Sequence, residues 1–184
     1  MAVHLVRVIA GSVKGRRLVG PKGAATRPMT DRAKEGLFSS LGGMVQGARV
    51  LDLYAGTGSL GIEALSRGAS SVVFVERHRP ALEALRQNLL ATGLTGDVLA
   101  EDVASYMVRA QGDFDLAFVD PPHGLSLASV QEVLDGLSPL MVEGGQVVLH
   151  RRAGGPAPAV EALQLVDRRR YGDTELWRFA KEGR

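Results

Sequence analysis

Val50-Leu51-Asp52-Leu53-Tyr54-Ala55-Gly56-Thr57-Gly58-Ser59-Leu60-Gly61 is the stretch on which the fold turns. Its first half is an apolar run of strand character, and helical spacing of apolar residues follows from Leu60 to Arg67. Between the two, Gly56, Gly58 and Gly61 match G-x-G-x-x-G in a strand–turn–helix context. Such a loop lets backbone approach a nucleotide closely and aims the N–H groups of a new helix at it. The same glycines also suit a tight turn and close helix packing without any ligand.

The rest of the chain repeats the strand–helix unit. Strands are expected at Val50–Tyr54, Val72–Glu76, Asp97–Ala100, Phe114–Asp120 and Gln146–His150, with helices at Leu60–Arg67, Pro80–Leu90, Val103–Arg109 and Val130–Leu137. Nearly continuous apolar strands alternating with helices imply an α/β fold with a parallel sheet covered on both faces. Gly144-Gly145 is expected to stop a helix before the fifth strand, and a short helix is expected at Val160–Leu163. Leu165–Tyr171 and Thr174–Phe179, around Gly172-Asp173, read as an antiparallel hairpin. The sum is a mostly parallel, seven-stranded sheet with an antiparallel C-terminal hairpin. Ahead of it, Leu5–Ala10 and Arg16–Val19 can pair across Gly11–Gly15, and Thr30 can cap a helix reaching about Leu41. Residues 1–44 are thus expected as a small hairpin-and-helix extension, and residues 45–184 as the main domain.

Composition narrows the function classes. The 184 residues contain no cysteine, which removes disulfides, thiolate metal sites and a cysteine nucleophile. No metal site is expected, and no stretch has the length of a membrane span or the pattern of a signal peptide. The expectation is a cytoplasmic monomer. Residues 1–34 carry eight basic side chains (Arg7, Lys14, Arg16, Arg17, Lys22, Arg27, Arg32, Lys34) against Asp31, a net of +7, in a chain whose total is +2. A basic head on a mildly acidic body suits a polyanion, and nucleic acid is the favoured partner.

Carboxylates collect where the strands end. Asp52 precedes the glycines, Glu76 ends the second strand and Asp102 follows the third. Strand C-termini of a parallel sheet line the usual ligand crevice. Glu76 can accept ribose hydroxyls, and Asp102 with the Val103 N–H can meet an adenine edge. Negative charge at Asp52, beside Tyr54 and Ala55, is unwelcome to a pyrophosphate but suits a sulfonium and an ammonium. S-adenosylmethionine is therefore favoured over NAD. Asp120-Pro121-Pro122-His123 closes the fourth strand in the same crevice. Prolines hold the loop rigid, so the Asp120 carboxylate and neighbouring carbonyls become fixed acceptors for a planar NH2 group, with His123 able to stack on it.

The glycine loop and Asp120-Pro121-Pro122-His123, taken with Arg7-Val8-Ile9-Ala10-Gly11, Lys14-Gly15-Arg16-Arg17-Leu18, Thr26-Arg27-Pro28-Met29-Thr30-Asp31-Arg32 and Lys34-Glu35-Gly36-Leu37-Phe38, resemble the RsmD-type 16S rRNA guanine-N2 methyltransferases. That resemblance runs from about Arg7 to Phe179. It implies a Rossmann-like methyltransferase fold, S-adenosylmethionine as cofactor and methylation of one guanine of small-subunit rRNA, with the assembled or nearly assembled subunit as substrate. It also implies catalytic roles for Asp120, Pro121, Pro122 and His123, although the family pattern places Phe or Tyr where this chain has His123. Asp52, Tyr54, Ala55, Gly56, Gly58, Glu76, Asp102 and Val103 would hold the cofactor, and Arg7, Lys14, Arg16, Arg17, Arg27 and Arg32 the RNA. The competing readings are an amino-methyltransferase acting on DNA or a protein glutamine, an NAD-dependent oxidoreductase, and a non-catalytic RNA-binding module.

Overall fold

A computed structural model describes residues 6–21 and 29–183. The elements in chain order are β1 (Val6–Arg7), β2 (Arg17–Leu18), α1 (Asp31–Leu41), β3 (Arg49–Leu53), α2 (Ser59–Ser66), β4 (Ser71–Glu76), α3 (Arg79–Thr92), β5 (Asp97–Ala100), α4 (Val103–Arg109), β6 (Phe114–Val119), α5 (Leu127–Leu137), β7 (Met141–Arg152), β8 (Gln164–Tyr171) and β9 (Thr174–Ala180). Seven strands form one sheet in the order β5-β4-β3-β6-β7-β9-β8. Pairing is parallel from β5 to β7 and antiparallel for β7–β9 and β8–β9. The expected mostly parallel sheet with a C-terminal hairpin is what the chain forms.

Alternation along the central strands explains the two layers. Val50, Phe74, Leu116, Phe118 and Val148 face one side and pack with α1, α2, α3 and the β1–β2 hairpin. Leu51, Leu53, Val75, Ala117, Val119 and Leu149 face the other and pack with α4 and α5. Strands buried on both faces have no room for polar alternation, which is why they read as apolar runs. The hairpin and α1 share the first of these cores: Val6, Val8, Leu18, Leu37 and Phe38 are all buried in it.

Five details differ from the sequence reading. The first strand stops at Leu53, because Tyr54 turns left-handed at φ 58°. The fourth stops at Val119, since Asp120 bonds through its N–H to Leu53 O (3.3 Å) and the prolines follow. Gly144-Gly145 does not end a helix. Gly144, at φ 74°, lies inside β7 where the pairing with β6 skips from Phe114↔Met141 to Leu116↔Gln146, a bulge that admits the extra residues. Val160–Leu163 is not helical, as one turn fixes several residues for few hydrogen bonds and Pro156 and Pro158 precede it. At its Ile9–Ala10 end the β1–β2 ladder is shorter than expected because the N–H groups of Ile9 and Ala10 turn to Glu63 Oε2 and Oε1 (2.7 and 3.0 Å), and Leu5 lies outside the described residues. Thr30 caps α1 as expected, accepting from the Ala33 N–H.

Candidate active site

The sheet reverses its winding between β3 and β6: the chain moves outward through β4 and β5, then returns to the other side of β3. Ligands of open α/β sheets bind beyond the strand C-termini at such a switch point. Here it brings the loop after β3 beside Asp120.

In that loop Tyr54, Gly56 and Gly58 all adopt positive φ, at 58°, 56° and 80°. The three glycines of the motif do different work. A Cβ on Gly58 would meet Leu85 Cδ1 at 2.3 Å, and one on Gly61 would meet Phe74 Cε1 at 2.3 Å and Asp52 Oδ2 at 2.9 Å. Both are glycine so that α2 can seat against the sheet and α3. A Cβ on Gly56 would meet nothing nearer than Tyr54 O at 3.9 Å, so Gly56 faces open space. It is the position where a ligand can approach backbone, and Tyr54 and Ala55 flank it.

The acids at the C-terminal ends of β3, β4 and β5 are held by backbone donors. Asp52 is fully buried and its Oδ2 accepts the Gly61 N–H at 2.9 Å. Burial pushes its carboxyl well above the ordinary carboxylate range; the Gly61 bond opposes this, and the charges of Asp120 and Glu76 add to it. Glu76 Oε2 accepts from Gly56 N–H (2.8 Å), while Oε1 accepts from Arg77 and His78 N–H (2.8 and 2.7 Å). With about four lone-pair sites on a carboxylate, Oε2 keeps one for a further donor. Asp102 caps α4 through the Ala104 N–H (2.9 Å) and pairs with Arg77 Nη1 (2.7 Å). Val103 opens that helix, so its N–H has no intrahelical acceptor. The phenol of Tyr54 is raised by burial and by Asp102, against Arg77.

At the end of β6 Pro121 is buried, whereas Pro122 and His123 are exposed. The Leu125 N–H closes a turn on Pro122 O (2.9 Å). Among the described residues nothing donates to Asp120 Oδ2 or to the Pro121 carbonyl, and the His123 ring has no partner. The other Asp120 oxygen is engaged. His150 Nδ1 lies 2.8 Å from Oδ1. Sequence reasoning missed His150 as a site residue, though it ended the fifth strand as read. The signal lay in register: Val119 pairs with Leu149, so the next residues on the two parallel strands stand side by side.

The basic head divides on folding. Lys34 is fully buried, donating to Arg7 O (2.6 Å) and Ser59 Oγ (3.2 Å) with Glu63 Oε2 at 3.5 Å, so its charge is spent inside. Arg7 pairs with Asp31 at 2.8 Å. Lys14, Arg16, Arg17 and Arg32 are exposed and have no partner among the described residues. Arg27 lies outside those residues.

The donor set fits S-adenosylmethionine. Glu76 and Asp102 tolerate a sulfonium and an ammonium, and the open face of Gly56 leaves room for a nucleoside, while Asp52 lies buried behind the loop. The fold is that of an S-adenosylmethionine-dependent methyltransferase of Rossmann-like architecture. More narrowly, the chain belongs to the family described as Conserved hypothetical protein 95, whose model matches residues 6–180. It is 35% identical over 184 residues to YlbH of Bacillus subtilis (strain 168), named as a candidate rRNA methyltransferase, covering 97% of this chain and 100% of that one. It is 38% identical over 119 residues to the Ribosomal RNA small subunit methyltransferase D of Escherichia coli (strain K12), an alignment spanning 64% of this chain and 60% of that protein. Among solved structures, yhhF of Escherichia coli, named as a candidate methyltransferase, superposes with a TM-score of 0.86 at 26% identity, covering 98% and 99% of the two chains. The Thermus protein TTHA0928 does so with a TM-score of 0.83 at 32% identity, covering 97% and 100%.

Proposed function

We propose that this protein transfers a methyl group from S-adenosylmethionine to the exocyclic N2 amine of a specific guanine in 16S rRNA, on the assembled or nearly assembled small subunit. The observation that carries this is the pair of acceptors, Asp120 Oδ2 and the Pro121 carbonyl, that no donor among the described residues engages, one strand from the open face of Gly56. The relatives named for rRNA, with small-subunit rRNA for the Escherichia coli one, support the substrate class.

S-adenosylmethionine supplies an electrophilic methyl carried on a sulfonium. When it is bound, Asp52 and Glu76 would hold the amino-acid and ribose parts, while Asp102 and the Val103 N–H would hold the adenine. Tyr54, Ala55, Gly56 and Gly58 shape the cleft. The guanine amine is a weak nucleophile because its lone pair is delocalised into the ring. Two fixed acceptors, Asp120 and Pro121, take its N–H bonds and turn the lone pair toward the methyl. With the cofactor bound, the nitrogen pair would form the new N–C bond and the S–C pair would stay on sulfur. The nitrogen gains positive charge, which the Asp120 carboxylate stabilises, and the surplus proton leaves to Asp120 or water. Pro122 keeps the loop rigid, and the exposed His123 ring stacks on the base once it leaves its helix.

Residues 1–44 form the RNA-binding extension and residues 45–184 the methyltransferase domain, in a monomer working in the cytoplasm where ribosomal subunits are made. Lys14, Arg16, Arg17, Arg27 and Arg32 contact phosphates, and Arg7 joins them when RNA displaces Asp31. No helix among the described residues is long and apolar enough to cross a membrane. The test is transfer of tritiated methyl from S-adenosylmethionine to small subunits, naked 16S rRNA, DNA and protein offered separately. Label in the small subunit supports the proposal; label confined to DNA or protein, or binding of NAD in place of S-adenosylmethionine, refutes it.

A further inference from the structure

The imidazole at the end of β7 has a role that its burial alone does not account for. The side chain of His150 is 5% exposed, yet it spends Nδ1 on a partner that is 39% exposed, Asp120. Its Nε2 is buried with no partner among the described residues. A histidine used only as core filling would have both nitrogens satisfied or be replaced by an apolar ring, since an unpaired buried polar atom is costly. The one hydrogen bond this ring makes is therefore what it is there to make.

That bond decides how Asp120 presents itself. Its backbone is tied from one side, through the N–H to Leu53 O of β3. Its carboxylate is tied from the other, by His150 on β7. With one oxygen held, the second has a defined direction, and nothing among the described residues competes for it. A half-exposed aspartate at the end of a strand would otherwise rotate freely. The charged groups that act on the imidazole are Asp120 after β6 and Asp173 in the turn between β8 and β9, both acids. Asp52 lies one strand further. Burial lowers the affinity of the ring for a proton, but the bond to Asp120 and the charges of Asp120 and Asp173 outweigh it, so its pKa stands above the ordinary value.

We propose that His150 is the positioning residue for amine methylation: its Nδ1–H holds Asp120 Oδ1 and thereby aims Oδ2 at the N–H of the target base. The proposal rests on the substrate reading above, in that the group being aimed at is a planar amine. It does not require His150 to touch the base.

Two substitutions separate aiming from packing. His150→Phe keeps the volume and removes the donor; His150→Asn keeps an N–H donor near the place of Nδ1 and loses volume. With saturating S-adenosylmethionine and small subunits, His150→Phe is expected to lower kcat by about tenfold to a hundredfold, with cofactor Kd by calorimetry within about twofold. His150→Asn is expected to keep kcat within about threefold of the parent. A purely structural role predicts the reverse order, and that order, equal losses in both, or an unaffected Phe variant overturns the proposal. The pairing also has a readout that needs no RNA. By NMR the His150 ring should titrate at higher pH in the parent than in Asp120→Asn, and an unchanged midpoint overturns the proposal whatever the RNA assay gives. A lowered midpoint in an enzyme that methylates no RNA refutes the substrate reading and leaves the Asp120–His150 pairing standing.

Discussion

The two halves of the crevice hold their carboxylates in different ways. On the side proposed for the cofactor, Asp52, Glu76 and Asp102 accept from backbone N–H groups of the loops and helices that follow β3, β4 and β5, those of Gly61, Gly56, Arg77, His78 and Ala104, and Asp102 pairs with Arg77 as well. On the amine side, Asp120 is steadied by one side chain from a neighbouring strand. Backbone donors are fixed by the fold and survive most substitutions. An imidazole can be exchanged, protonated or lost. The cofactor half is thus built as a rigid receptacle, and the amine half as an adjustable one.

The largest expected effect breaks the amine side. Asp120→Asn keeps the shape of the clamp but removes its charge and places a donor where an acceptor is needed. Methyl transfer should fall by about a hundredfold to a thousandfold, with cofactor affinity little changed, as single-turnover rates and calorimetry would show. A parallel loss of cofactor affinity would erase the distinction between the halves.

The next effect falls within the cofactor side. Gly58→Ala collides with Leu85 and should cost about 1–3 kcal/mol of stability in denaturant unfolding. Gly56→Ala meets no packing atom and carries only the strain of its positive φ, about 1 kcal/mol, so its loss should appear in cofactor Kd. Equal behaviour of the two would mean that Gly56 does not face the ligand.

Much of this arrangement was legible before any coordinates, and its failures have local causes. The apolar runs announced the strands because every central strand is buried on both faces. The strand-end acids stood out because each lies within two residues of the end of its strand. Thr30 was readable because capping is a contact three residues long. His150 and Lys34 were not readable in their roles. Their partners, Asp120 and Glu63, are 30 and 29 positions away and meet them only through β-register and helix packing. Lys34 even counted as surface charge, since nothing in its neighbours announces that Glu63 waits on another helix. The left-handed Tyr54 was hidden because no short-range rule asks a tyrosine to leave extended geometry.

A smaller effect concerns pH. Because Asp52 keeps its proton in the folded chain to higher pH than in the unfolded one, the folded state binds more protons across that interval. Stability contributed by Asp52 therefore falls as pH rises from the ordinary carboxylate range toward its raised folded value. Asp52→Asn should be more stable than the parent at neutral pH and show a flatter melting temperature against pH, while binding S-adenosylmethionine less tightly. His150 runs the other way in cause: its pKa is raised by partners, so the stability of that pair is fully present below the ordinary histidine value and lost as pH rises through the folded one.

The smallest effect on the chemistry lies outside both halves. Replacing Arg16 and Arg17 by Gln removes two exposed cations of the hairpin that have no partner among the described residues. Binding to small subunits should weaken, with a logarithmic salt slope shallower by about 1.5–2, and kcat should hold. An unchanged slope removes the hairpin from the RNA interface.

The central claim is that the amine half of the crevice holds a guanine. Nucleoside mapping of methyl-labelled small subunits tests it most directly. The expected product is N2-methylguanosine at a single position, absent when Asp120→Asn replaces the parent enzyme. Label on an adenine or cytosine amine, on a ring nitrogen or on a ribose would contradict it.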